Sequence, residues 1–302
     1  MSAKSLRRNF IRNSMLFITG LFSFHAGSQK ANAAEEKQDN HSDDTETVND
    51  TIKTINSLRT IHGNFTEQDI PDSKIQLILK SCVRAANASN MQTYSVIVVK
   101  DRDVMQKVSQ YRGSCMLLFC VDYNRLITCA ESLGHSYYTD KMTSFITGST
   151  NTILAAQTAV IAARSLGIDC LLTNGIHRGD MKRVWETLEL PEDNCYPLIA
   201  LVMGYPTEEP PYKKGRLDGI GIFHNEKYHP LMKSDIEEIV SKVDNKQAHI
   251  SLNNDWDKKG YKHYYDWLFT SWIGENGRKP AENETQQFKL LKRSNFVDLQ
   301  NL

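Results

Sequence analysis

The stretch "STNTILAAQTAVIAARSLG" (149–167) constrains the fold of this chain more than any other. Small and apolar residues run through it at helical spacing and Gly167 closes it, so it reads as one long helix. Its density of alanines suits close packing against another helix. A short apolar strand, "DCLLT", follows at once. Upstream, "YSVIVVK" (94–100) and "CMLLFCVD" (115–122) have the composition of buried strands, and "YPLIALVMG" (196–204) completes a set of four. "DSKIQLILKSCVRAA" predicts a helix after Pro71 with Asp72 or Ser73 as its N-cap, and "MKRVWETLEL" predicts another. "TIKTINSLRTI" sets Ile52, Ile55, Leu58 and Arg59 at helical spacing. Helices and strands alternate, which predicts a mixed α/β or α+β layered fold.

The ends of the chain differ in character from this core. "SLRRNFIR" (5–12), the short apolar run behind it and "ANAA" (31–34) predict an export signal over residues 1–33, cleaved near Ala33. The adjacent Arg7 and Arg8, followed by Phe10 and Ile11, resemble the twin-arginine class, which carries proteins already folded. The apolar run, interrupted by Thr19 and Gly20, is too short to span a bilayer. Residues 34–48, "AEEKQDNHSDDTETV", are acidic and polar and predict a disordered spacer. The main domain is expected over 49–232 and a helical extension over 233–302. A formal net charge of +0 speaks against a nucleic-acid partner. The six cysteines form no C-x-x-C pair, and most sit in apolar runs, so they are expected as small buried side chains.

Familiar catalytic signatures are missing. There is no H-E-x-x-H, no G-x-S-x-G, no phosphate-binding G-x-x-x-x-G-K and no strand–loop–helix G-x-G-x-x-G. "GRLDGIG" (215–221) reads as a loop, and His135, His177 and His263 each stand without a partner at metal-ligand spacing. No metal site and no catalytic side chain is predicted. Four separated stretches carry the remaining signal: "SLRTIHGNF" (57–65), "AANASNMQTYSVIVV" (85–99), "LLTNGIHRGD" (171–180) and "LVMGYPTEEPPYKKGRL" (201–217).

Taken together and in this order, the four stretches resemble the nitroreductase family of FMN-dependent oxidoreductases, over about residues 51–216. The resemblance implies a central sheet flanked by helices, an intertwined homodimer with two FMN sites at its interface, and site residues from each stretch. Arg59, Thr60 and His62 match the family's R-S-x-R, with His62 where a second Arg is usual. Asn87, Asn90 and Gln92 match P-S-x-x-N-x-Q-P-W, with Ala86 in place of its Pro. Asn174 and Gly175 match the I-G-G-I-R loop, where a glycine lets the backbone approach the flavin and a main-chain N–H reaches N5. Lys214 and Arg216 match a K-x-R that completes the phosphate clamp, with Lys213 an alternative to Lys214.

FMN asks for such a set: cations around a phosphate, polar groups along the pyrimidine rim and a backbone N–H near N5. The implied activity is reduction of a small organic acceptor (nitroaromatic, quinone or flavin-like) by two-step hydride transfer through FMN N5, with NAD(P)H or a membrane redox partner as donor. Alternatives on the same fold are a reductive dehalogenase or dehydrogenase, or a non-catalytic flavin-binding module. Tyr137, Tyr138 and Phe145 are candidates for the open face of the flavin. The aromatic run "GYKHYYDWLFTSWIG" (260–274) predicts a helix buried on nearly every face, as an arm across a partner or as a cover on its own subunit.

Overall fold

The computed structural model describes residues 48–274 and 286–297. The signal, the acidic spacer and the twin-arginine pair lie outside the described residues. The element order is α1 (Asp50–Asn56), α2 (Asp72–Cys82), β1 (Tyr94–Val99), α3 (Arg102–Ser109), β2 (Cys115–Asp122), α4 (Asn124–Ser132), α5 (Lys141–Ser165), β3 (Asp169–Thr173), α6 (Lys182–Leu188), β4 (Cys195–Gly204), α7 (Lys233–Asp244), α8 (Tyr264–Trp267) and α9 (Gln286–Arg293). The predicted α+β class holds. The four strands pair antiparallel throughout in the order β1-β2-β4-β3.

Strand β2 is buried along almost its whole length because the sheet is covered on both faces. Its side chains alternate as the pleat requires. Met116 and Leu118 join one core cluster with Met105 of α3 and Trp185 of α6, while Cys115, Leu117 and Phe119 join the other with Ile78 of α2 and Ala156 of α5. A bulge between Phe119 and Cys120 breaks the alternation, so Cys120 and Val121 both face the first cluster. The alanine face of α5, with Ala155, Ala156, Ala159 and Ala163 all fully buried, lets this helix lie close to α2 and the sheet. Five of the cysteines are buried, and burial pushes the Cys115 and Cys170 thiols up to about 12, which makes them packing groups rather than nucleophiles.

Boundaries differ from expectation in three places. Helix α5 begins at Lys141, well before the alanine run, because Asp140 caps it by accepting the Thr143 N–H at 2.6 Å. The N-cap of α2 is Pro71 itself, with no side-chain cap, rather than Asp72 or Ser73. Helix α1 stops at Asn56, so Leu58 and Arg59 leave the helical run; Ser57 Oγ instead donates to Thr54 O and accepts from Arg164 Nε.

The C-terminal residues divide. Helices α7 and α8 make a small cluster of their own around Val243, Trp256, Tyr264 and Trp267, whereas Leu290 of α9 and Phe296 beyond it pack into the first core cluster beside β2 and β4. The aromatic run is not one helix buried on every face. It is a single α-turn followed by a π-turn at Leu268–Trp272, and Phe269 and Ile273 stay exposed. Among the described residues no helix is long and apolar enough to cross a membrane.

Candidate functional site

The first and fourth stretches meet at the outer edge of β3. The Ile61 N–H donates to Cys170 O at 3.1 Å, which lays residues 58–62 along that strand. Arg59 then reaches Asp169, a carboxylate with only 4% of its side chain exposed. Arg59 Nε donates to Oδ1 at 2.9 Å and Nη2 to Oδ2 at 2.7 Å, a two-pronged pair that Arg164 completes by donating to Oδ1 at 2.9 Å. A carboxylate this deep is tolerated only with such partners.

The outer edge of the Arg59 fork holds Glu209, through Nη1 to Oε2 at 2.5 Å and Nη2 to Oε1 at 3.1 Å. These hydrogen bonds, to Asp169 first and Glu209 second, hold the guanidinium protonated far above its ordinary range, and the Arg59 bond holds the Glu209 carboxyl below its own. Glu209 is 76% exposed, so solvent screens its pairing with Arg59 more than that of the buried Asp169.

Two cavities share this edge. One of about 330 Å³ is lined by Arg59, Thr60, His62, Lys213, Lys214 and Arg216 among others. The second, of about 220 Å³, shares Arg59, Thr60 and Arg216 but adds an apolar wall of Val160, Cys170 and Leu172, with Gln157 of α5 as a polar group. The structure therefore brings together five of the predicted site residues, Arg59, Thr60, His62, Lys214 and Arg216, as a cationic pocket beside an apolar slot. Its donor chemistry fits a phosphate, with one Arg59 Nη1 hydrogen free and the rest of that edge released if Glu209 moves aside.

The second stretch lies elsewhere. The loop at 87–92 precedes β1, at the end of the sheet where Tyr94 faces Val121 and Val121 faces Tyr196; Cys170 lies at the other end, level with Met203 and Cys115. Counting roughly 3.3 Å per residue along the strands and about 4.8 Å between them, Tyr94 and Cys170 stand on the order of 25 Å apart, corner to corner. Helix α5 links the two groups, with Asn151 under the loop and Gln157 in the slot.

Ser89, Asn90 and Gln92 all adopt left-handed backbone (φ 50°, 53° and 52°), a costly geometry for residues other than glycine. The loop is held in it by Asn87 Oδ1, which accepts the Gln92 N–H at 2.8 Å, and by the buried Asn151 of α5. Asn151 Oδ1 accepts the Ala88 N–H at 3.0 Å, and its Nδ2 donates to Thr93 Oγ1 at 2.9 Å. Arg125 of α4 also donates to Gln92 O.

The third stretch follows β3. Asn174 is exposed, while Gly175 is buried. The Gly175 N–H is already spent on Thr173 Oγ1 at 2.9 Å, and a Cβ there would meet Ser109 O at 3.0 Å and the Tyr111 ring at 3.4 Å. In this structure Gly175 thus permits close packing beneath the loop, and its own N–H is engaged by Thr173. Of the three candidates for the open face, Tyr137 lines a separate cavity of about 360 Å³ with Tyr123, Lys141 and Phe296. Tyr138 is 99% exposed, and Phe145 packs edge-on against Tyr196.

Sequence reasoning did not single out Asp169, Glu209, Arg164, Gln157 or Asn151. A faint signal existed for Asp169, since a charged residue heading an apolar strand must find a partner. Nothing local marks Glu209, which meets Arg59 across 150 positions of sequence.

The α+β fold thus sets a cationic pocket at one sheet edge and a strained, amide-rich loop at the opposite corner. No family model matches the chain. Individual proteins do. An FMN reductase [NAD(P)H] of Bacillus subtilis is 29% identical over 244 residues, spanning 76% of this chain and 96% of that protein. An FMN reductase (NADPH) of the same organism is 31% identical over 192 residues, 60% of this chain and 76% of its own length. Among solved structures, the NfrA1 nitroreductase from B. subtilis superposes with a TM-score of 0.62 at 27% identity, covering 72% of this chain and 90% of its own. The chain belongs to the nitroreductase family.

Proposed function

We infer that this protein is an FMN-dependent oxidoreductase of the nitroreductase type, taking electrons from NAD(P)H and reducing a small organic acceptor. The observation that carries this reading is the pocket of Arg59, Thr60, His62, Lys214 and Arg216 beside the Val160–Leu172 slot. Lys214 and Arg216 would hold the phosphate, with Arg59 behind them, and the slot would take the chain leading to the ring. When bound, FMN supplies two-electron transfer between donor and acceptor. The protein's own part is to bind, orient and shield it, which accounts for a site with no acid–base pair.

The site is completed by a second copy of the chain, with Asn87, Asn90 and Gln92 of one copy facing the pocket of the other. Supporting this homodimer, α5 leaves a stripe of Met142, Ile146, Ile153 and Leu154 exposed, and Ile52 and Ile55 of α1 are exposed as well. Apolar surface arranged along one long helix is what an obligate interface covers. Sedimentation of the parent and of Ile146→Glu with Ile153→Glu tests it: a dimer is expected for the first and a monomer with weakened FMN for the second.

The same reading extends to location. Residues 1–33 act as a twin-arginine signal cleaved near Ala33, and the flavin is loaded before export because a site made of distant stretches exists only after folding. Nicotinamides are scarce outside the cytoplasm, so a quinol or a membrane redox protein is a second donor to test. Fractionation of cells expressing Arg7→Lys with Arg8→Lys should find a yellow, uncleaved precursor inside; normal export would exclude the twin-arginine route.

The deciding experiment for the activity is the absorption spectrum of the purified protein with release of the flavin on denaturation. FMN and no FAD is expected, and NAD(P)H added without oxygen should bleach the band until a quinone or nitroaromatic restores it. Colourless protein that fails to take up FMN would overturn the whole reading.

A further inference from the structure

We propose that the C-terminal segment Asn245–Tyr264 is a working part of the phosphate pocket: it holds Lys214 and the 212–216 loop in place and thereby sets the preference for a phosphorylated flavin. The proposal rests on the FMN reading above and assigns a role to residues outside the four recognised stretches.

Four contacts join the two segments. Lys214 Nζ donates to Ser251 O at 2.7 Å while lying 5.5 Å from the centre of the Tyr212 ring. The Tyr212 ring in turn stacks on His249, with centroids 3.8 Å apart and planes 5° from parallel. The Gly215 N–H donates to His249 O at 3.1 Å. Finally, the backbones approach so closely at Gly215 that a Cβ there would sit 2.0 Å from Ala248 O, so no other residue fits without parting the segments. The same segment supplies a wall: Ile250, Ser251, Leu252 and Tyr264 line the cavity alongside Arg59, Lys214 and Arg216.

What anchors the wall is Tyr264. Its ring is 7% exposed and packs with Val243, Trp256 and Trp267, and its backbone N–H donates to Asp244 Oδ1 at 2.8 Å. From that fixed position the Tyr264 hydroxyl accepts the Leu252 N–H at 3.2 Å. Ser251, 1% exposed, is further braced by donating its hydroxyl to Asn254 Oδ1 at 2.6 Å. A lysine on a free loop must give up the freedom of four bonds to meet a phosphate. Here Ser251 O has already localised the ammonium and leaves two of its hydrogens for an anion. Ordering achieved before binding is ordering that binding need not supply. Only ligands with a phosphate profit from it, because the ammonium has nothing to meet in a dephosphorylated flavin.

The test compares FMN with riboflavin, its phosphate-free counterpart, by quenching of flavin fluorescence on the full chain stripped of flavin. The parent should bind FMN far more tightly than riboflavin. Tyr264→Phe keeps the packed ring but frees Leu252, and it should weaken FMN by about tenfold with riboflavin unchanged. Gly215→Ala, which drives the two segments apart, should give the same split and serves if the first variant folds poorly. In a Lys214→Ala background, Tyr264→Phe should have almost no further effect, since the lysine is what it positions. Equal loss of FMN and riboflavin, or additive losses in the double variant, would show a merely structural role and overturn the proposal. A parent that does not prefer FMN would overturn the underlying FMN reading with it.

Discussion

At the edge of β3, charged side chains from positions 59, 164, 169 and 209 hold one another; at the opposite corner, the 87–92 loop is held mainly by two neutral amides, Asn87 within it and Asn151 beneath it. Both groups are polar, yet they reach their geometry by different routes. The ionic edge is assembled across more than a hundred positions and places its charges with long side chains. The amide corner is a short loop strained in its own backbone and pinned by a helix beneath it. A charge can be aimed from a distance, whereas a flat ring edge needs hydrogen-bonding groups at fixed spacing, which a tight loop supplies.

Breaking the ionic edge should have the largest effect. Asp169→Asn leaves two guanidinium groups facing a neutral amide in a buried position, and about 3–5 kcal/mol of stability should be lost in chemical denaturation. FMN affinity should fall as well, because Arg59 loses the partner that aims it. If Asp169→Asn melts like the parent, the edge is not held by this carboxylate.

The amide corner should break more gently. Asn151→Ala takes a donor from the buried Thr93 hydroxyl and an acceptor from the N–H of the exposed Ala88, which costs about 1–3 kcal/mol. The loop strain should relax with it, so hydrogen exchange at residues 87–93 should quicken while residues 58–62 stay protected. Equal exchange in both places would mean the two corners fold as one unit.

A third measurement uses pH. His177 belongs to neither group; its Nε2–H donates to Pro197 O at 3.1 Å, and its ring sits 6.0 Å from that of Tyr196. Burial depresses its pKa below the ordinary 6.5. The unfolded chain therefore binds a proton that the folded chain refuses, so stability falls as the pH drops below about 6.5, by at most about 1.4 kcal/mol per pH unit. His177→Gln should flatten that slope without altering FMN binding. A slope unchanged by the substitution would assign the acid sensitivity to other groups.

The smallest effect is expected at Glu209. Because it occupies the outer fork of Arg59 from an exposed position, Glu209→Gln should tighten FMN severalfold, leave riboflavin unchanged and speed flavin uptake. Weaker FMN binding in this variant would mean that Glu209 organises the pocket instead of competing for it.

Much of the fold was legible in the chain itself. The strands at Cys115–Asp122 and Asp169–Thr173 coincide with their apolar runs, because burial on both faces demands an unbroken apolar sequence. The convergence of Arg59 with Lys214 and Arg216 was likewise anticipated, through matched motifs rather than through any local signal. Helix α5 was found but cut short, since its first two turns mix polar and apolar residues and its start is marked only by the Asp140 cap. Gly175 was recognised as a position that needs glycine, but the close neighbour is Tyr111 and the Ser109 carbonyl.

What the sequence determined by itself is whatever depends on neighbours in the chain: the periodic burial of helices and strands, the turn residues and the presence of cations in the first and fourth stretches. Only the tertiary structure decided that Asp169 and Glu209 would share Arg59, that Asn151 would pin the loop, and that Ser251 would take hold of Lys214. A hydrogen bond is a matter of a few ångströms between two groups, and chain order says nothing of that distance until the backbone has closed the intervening loops. The two polar groups at opposite corners of the sheet are the plainest case: each is written in a short motif, while the separation between them exists only once the strands have paired.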